Sequence, residues 1–102
     1  MITISEILKG SDFSLTQFSN DKIIELENNI IEKEVKGKPT PYVKCLVRNK
    51  EIKLTPEEIV RQLYLMVLIE DFHYPVSRME LEYVVTFGRE KKRADIVIFD
   101  KD

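Results

Sequence analysis

A chain of 102 residues suits one domain and leaves little room for two. Hydrophobic residues at 43% and charged residues at 33% are enough to bury a core, which excludes disorder over most of the length. A net charge of −2 means that affinity for nucleic acid has to come from a local patch, and a single cysteine (Cys45) with a single histidine (His73) excludes an internal disulfide and a Cys/His zinc site.

Cysteine usage fits a reducing cytoplasm, the expected location. Met1 to Gly10 lacks the basic-then-apolar design of a signal peptide. The longest apolar run, Leu63 to Ile69, is far short of the roughly 20 residues of a spanning helix, so no membrane association is expected.

Residues 1–38 read as a polar, helical N-terminal extension. Asn20 or Asp21 can cap a helix running to about Val35, with Ile23, Ile24, Ile30 and Ile31 on its apolar side and Gly37 as its stop. Lys38-Pro39-Thr40-Pro41 is expected to exclude regular structure and to link this extension to a second unit, residues 39–102. Tyr42 to Leu54 reads as a hairpin turning at Asn49-Lys50, with Val43, Cys45 and Val47 on one face and Ile52 and Leu54 on the return. Cys45 is expected to pack as a small hydrophobe.

Thr55-Pro56-Glu57-Glu58 is the sharpest local signal: a capping threonine, a proline at the first helical position and a glutamate three residues after the cap. The helix is expected to reach Glu70 or Asp71, and its apolar residues surround most of its circumference, so it should be buried on more than one side. Pro75 excludes helix from the connection that follows. Arg78 to Phe87 alternates as a strand, Gly88 to Lys92 reads as a turn, and Arg93 to Phe99 returns as a β-branched strand. The order helix, hairpin, helix, hairpin predicts an α+β fold with antiparallel β-hairpins packed on a buried helix.

Thr55 to Gln62 resembles the opening helix of the N-terminal domain of type I restriction enzyme R subunits and of related methylase-associated proteins. His73-Tyr74-Pro75 is similar to that family's post-helix turn, Met79-Glu80-Leu81-Glu82 to its first core strand and Arg93-Ala94-Asp95-Ile96-Val97-Ile98 to its Arg-Ala-Asp-hydrophobic strand, while Lys44 to Glu51 is also similar to a family segment. The resemblance covers about Pro41 to Asp102 and implies the front part of a restriction-endonuclease-like domain of the PD-(D/E)xK type. It implies DNA and other restriction-modification subunits as partners and Mg²⁺ as cofactor of the complete domain, since hard oxygen ligands hold Mg²⁺ against a phosphodiester. By the same resemblance Glu58 is the helix glutamate and Asp95 the strand aspartate, both metal ligands, with Glu82 a third candidate at the site.

No Glu-x-Lys follows Asp95 before the chain ends at Lys101-Asp102, so these 102 residues are expected to be an inactive fragment of a longer nuclease. The bare strand Arg93 to Phe99 is expected to offer an edge to a second copy, giving a homodimer. Each candidate has a plainer reading. Glu58 closes a capping box with Thr55, Asp95 is a solvated edge residue, and Glu80 and Glu82 lie on a solvated strand face. Arg89, Lys91, Lys92 and Arg93 are either a soluble turn or a contact to DNA phosphates. Arg61 and Gln62 read as structural, and His73 as a turn residue. Two other functions compete with the nuclease: a non-catalytic DNA-backbone-binding or docking module attached to a methyltransferase or modification protein, and an interaction domain without nucleic acid. No nucleotide-binding loop is present, so ATP is not assigned to this chain.

Overall fold

The computed structural model describes residues 2–87 and 90–99, with side chains for 2–81 and 96–99. The chain forms α1 (Ile4–Leu8), α2 (Asn20–Asn28), β1 (Ile31–Val35), β2 (Lys38–Lys44), β3 (Glu51–Lys53), α3 (Pro56–Met66), β4 (Met79–Phe87) and β5 (Glu90–Ile98). Strands β1, β2 and β3 make one antiparallel sheet in that order, and β4 and β5 make a separate antiparallel pair. The expected α+β class with antiparallel hairpins is what the chain adopts.

The first half departs from expectation. Helix α2 is capped by Ser19, whose hydroxyl accepts from the Lys22 amide, and not by Asn20 or Asp21. It ends at Asn28 instead of reaching Val35. Asn29 closes it by donating its side-chain amide to the Glu25 carbonyl, and the following Ile30, Ile31 and Val35 are β-branched residues that suit a strand. Gly37 is therefore not a helix stop. Lys36 and Gly37 form a two-residue hairpin turn with φ of 52° and 79°, the double positive φ that matches strand twist.

Lys38 to Pro41 is not a linker but the first half of β2, paired with β1 as Glu34 with Pro39 and Glu32 with Pro41. The two-residue turn makes Val35 and Lys38 the closing hydrogen-bonded pair, so alternate positions 39 and 41 need no N–H toward β1. Proline is tolerated at both for that reason. The boundary expected between residues 38 and 39 falls inside β2, and both sides of it contribute to one core: Ile4, Phe18 and Leu26 pack with Val43, Leu54, Ile59, Leu63 and Met66.

Helix α3 begins as its sequence predicts, with the Thr55 hydroxyl accepting from the Glu58 amide at 3.2 Å and Pro56 in the first turn. Ile59, Gln62, Leu63, Leu65 and Met66 are buried, so the helix is enclosed on most sides, and only Tyr64 stands out to solvent among its central residues. A single wide π turn, Val67–Asp71, carries the helical path to the expected end. There Lys22 of α2 bonds Glu70 at 2.5 Å and Asp71 at 3.3 Å, and the Glu70 carboxyl is held below its ordinary range by that ammonium and by the neighbouring Glu25.

Strand β5 starts at Glu90, so Glu90 to Lys92 belong to the strand and not to a turn, and Gly88 and Arg89 lie outside the described residues. The hairpin joins the body at its base, where Met79 is buried and the Phe99 amide donates to the Arg78 carbonyl. A radius of gyration of 15.0 Å reflects an elongated outline, against about 13 Å for a compact chain of this length.

Candidate functional site

The side chains that α3 directs toward the sheet build a buried polar network. Gln62 is 1% exposed. Its amide nitrogen donates to Cys45 Sγ at 3.2 Å and to Glu58 Oε2 at 3.0 Å, while its oxygen accepts from the Leu46 amide at 3.3 Å. Glutamine alone among uncharged side chains of its length offers two donors and an acceptor at one tip, so it ties α3 to the β2–β3 loop while holding Glu58. Arg61, one turn on from Glu58, donates to Glu58 Oε1 at 3.2 Å.

Glu58 therefore does not stand as a plain capping-box residue. Both carboxylate oxygens are taken by the third and fourth residues beyond it, and the side chain is only 13% exposed. The expectation that Arg61 and Gln62 are structural is correct for Gln62 in detail, and Cys45 is buried as expected, though it also accepts from the Arg48 amide. Sequence reading missed that Gln62 and Cys45 are partners. The signal available was a glutamine in the middle of a helix otherwise apolar on that side.

Asp95 and Glu82 lie in the hairpin. The flanking pairs Leu81 with Ile96 and Tyr83 with Ala94 run in one continuous register, which sets the backbone of Glu82 across from that of Asp95. Their side chains lie outside the described residues, as do those of Lys91, Lys92 and Arg93, which occupy successive positions of β5. Glu80, two residues before Glu82, is exposed. His73 sits exposed in the connection after α3 with φ of 60°. Among the described residues, no three histidine, cysteine or acidic side chains come together as a metal site, and no helix is long and apolar enough to cross a membrane.

Two openings flank α3. A groove of about 600 Å³ runs between the end of α2, the start of β1 and the β2–β3 loop, with Cys45 and Gln62 in its wall. A smaller cleft of about 320 Å³ lies on the opposite side, where α3 meets β5.

Neither curated proteins nor solved structures yielded a match to this chain. The family model described as Type I restriction enzyme R protein N terminus (HSDR_N) matches residues 56–102, the stretch from the first turn of α3 through β4 and β5. The segment similar to the type I restriction enzyme R protein N terminus is thus helix α3, with Glu58 in its first turn, and the β4–β5 hairpin, whose register sets the backbone of Glu82 across from that of Asp95.

Proposed function

We propose that the chain contributes to a DNA endonuclease of the R-subunit type, within a PD-(D/E)xK domain in which Asp95 and Glu58 are ligands of a divalent metal such as Mg²⁺ and Glu82 assists them. The observation that carries this reading is the family match over residues 56–102, which contains the helix acid and the strand acid with Glu82 in register opposite Asp95. The donor types fit a hard cation, since carboxylate oxygens are its preferred ligands. Bound there, Mg²⁺ would polarise a phosphodiester and lower the pKa of an attacking water. Glu58 would have to give up a bond to hold the metal, since Arg61 donates to its Oε1 and Gln62 to its Oε2, and Gln62 would orient the carboxylate. Lys91, Lys92 and Arg93 on β5, with Arg89 before them, supply cations for DNA phosphates.

The reading requires a Glu-x-Lys from outside these 102 residues, because none follows Asp95. The 102-residue chain alone is therefore expected to leave plasmid DNA intact with Mg²⁺. The test is Mg²⁺-dependent cleavage by the natural protein that carries this sequence, beside its Asp95→Ala variant. Cleavage lost in the variant supports the reading, and cleavage that persists refutes it. A second reading, a DNA-backbone-binding or docking module without catalysis that serves other restriction-modification subunits, is favoured by the engagement of both Glu58 oxygens. It expects salt-sensitive DNA binding and no cleavage by the natural protein. Pairing of a second copy along β5 is a further expectation of an open strand, and a monomer in sedimentation at high concentration removes it.

A further inference from the structure

The first sheet carries a charge that the whole chain does not. Residues 33–53 hold seven lysines and arginines against two glutamates, so this stretch stands at +5 while the rest, with nine against sixteen, stands at −7. The stretch lies before the segment of the family match. The sheet sorts these charges by face. Residues opposite one another in an antiparallel ladder point to the same side. The register sets Lys33 against Thr40 and Lys53 against Tyr42, and Lys38, Thr40, Tyr42 and Lys44 alternate along β2, so all four lysines share one face. Val43 on the other side of β2 is buried in the core, which turns the lysine face to solvent, and Lys33, Lys38, Lys44 and Lys53 are all exposed. Glu51 is the one acid that the register puts on this face, and it is bonded to Lys33, whose ammonium also lies 5.2 Å from the centre of the Tyr42 ring. Among the described residues Lys38, Lys44 and Lys53 enter no ion pair.

Resting on the DNA reading above, we propose that this face of β1–β2–β3 holds the phosphate backbone of duplex DNA. Charge and spacing together select that occupant. Lys38 and Lys44 are six positions apart on β2, roughly 20 Å along a strand, and Lys33 and Lys53 flank them on neighbouring strands about 4.8 Å to either side. Ammonium groups spread this widely cannot converge on one small anion. A duplex presents about six phosphates of each strand over the same length, and each lysine that meets one releases a condensed counterion, which is where the affinity arises. Lysine ammoniums are point charges without a fixed fork, so the face positions a backbone and reads no bases. The net charge of −2 does not oppose this, because the acids of the chain lie almost wholly outside the face.

The experiment measures binding of a fluorescein-labelled DNA duplex to the purified chain by fluorescence anisotropy over a series of salt concentrations. The combined variant Lys38→Gln, Lys44→Gln and Lys53→Gln is expected to bind more weakly at low salt, and the slope of log affinity against log salt should fall by about one for each lysine removed. Arginine at the same three positions should restore the slope, and Lys9→Gln, an exposed lysine off this face, should leave it unchanged. The three side chains are exposed, so the far-ultraviolet circular dichroism of the glutamine variant should match that of the wild type. An unchanged slope in the glutamine variant overturns the proposal and leaves the DNA reading standing on its other cations. A loss that arginine does not restore also overturns it. A wild-type chain that binds no duplex at low salt overturns it too, and the nuclease reading is then decided separately by cleavage with the natural protein. Self-association of the wild type in low-salt sedimentation, absent in the glutamine variant and unaffected by DNA, replaces DNA with a second copy of the chain and overturns the proposal as well.

Discussion

The two hairpins of this chain are built from the same kind of ladder and are held in different ways. β1 and β2 turn through Lys36-Gly37, gain a third strand in β3, and set Val43 into a core that includes α1, α2 and α3. Lys33 reaches across β2 to pair with Glu51 and lies 5.2 Å from the centre of the Tyr42 ring. β4 and β5 are longer, nine residues each, and their extensive contacts are with one another. A two-stranded ladder gains little stability by itself, whereas a ladder seated on helices shares their buried area. The family match falls on α3 and the second hairpin, and among the described residues the core cluster lies in or before α3. Among the described residues the matched segment thus shares one core with the segments before it, Ile59, Leu63 and Met66 of α3 packing with Ile4, Phe18, Leu26, Val43 and Leu54.

The largest expected effect tests that division. Leu63→Ala empties a fully buried position in α3 and should cost about 3 kcal/mol by chemical denaturation. Hydrogen exchange should show β2 amides losing that protection while β4 and β5 amides, already less protected, change less. Equal losses in both hairpins would mean that they open as one unit and would end the distinction. Gln62→Leu should cost about 2 kcal/mol, because it strands the buried Leu46 amide and frees Glu58 Oε2. The loss should appear at the 45–50 loop first, and an unshifted loop spectrum would show that the network does not tie α3 to the sheet.

Gly37→Ala is expected to cost about 1 kcal/mol, through its φ of 79° alone, since an added Cβ there meets nothing within 4 Å. Measured by thermal unfolding, it should loosen β1–β2 and leave β4–β5 untouched. The smallest effect concerns pH. Glu70 has its carboxyl depressed by Lys22 and Glu25, so its stabilising contribution is present above the ordinary carboxylate range and is lost as pH falls through the lowered value. Glu25 is raised, chiefly by its bond with Glu70, and opposes part of this. Lys22 is raised by Glu70 first and by Asp71, so its contribution holds through neutral pH and is lost only above the usual lysine range. Denaturation from pH 7 downward should show a shallower acid loss in Lys22→Gln than in the wild type, and parallel curves would remove the pair from the account.

Much of the second half was legible because its signals are local and uncontested. Thr55-Pro56 marks a helix start in any context, and the alternation of Met79 to Phe87 admits one period. In the first half two explanations competed for the same residues. A glycine after an apolar stretch serves a helix end and a hairpin turn equally well, and the tie is broken only by pairing partners distant in sequence. Pro39 and Pro41 argued against a strand as long as every position was assumed to need its N–H. At the candidate site, Glu58 and Asp95 could be named through the family resemblance, but the occupation of Glu58 by Arg61 and Gln62 could not be read in advance, because it depends on where the β2–β3 loop comes to lie.

The two prolines of β2 have a consequence for association. Strand β3 is only three residues long and covers Tyr42 to Lys44, so among the described residues no strand pairs with the outer side of β2 from Lys38 onward until Leu54 donates to the Pro41 carbonyl. The positions that face outward there are 39 and 41, and neither has an N–H to give. A foreign strand arriving at this edge meets acceptors without donors and cannot continue a ladder. Sheet growth from one molecule to the next is blocked at the one stretch where the sheet would otherwise be open on that side, and replacing both prolines with valine should turn a soluble edge into a seed for aggregation.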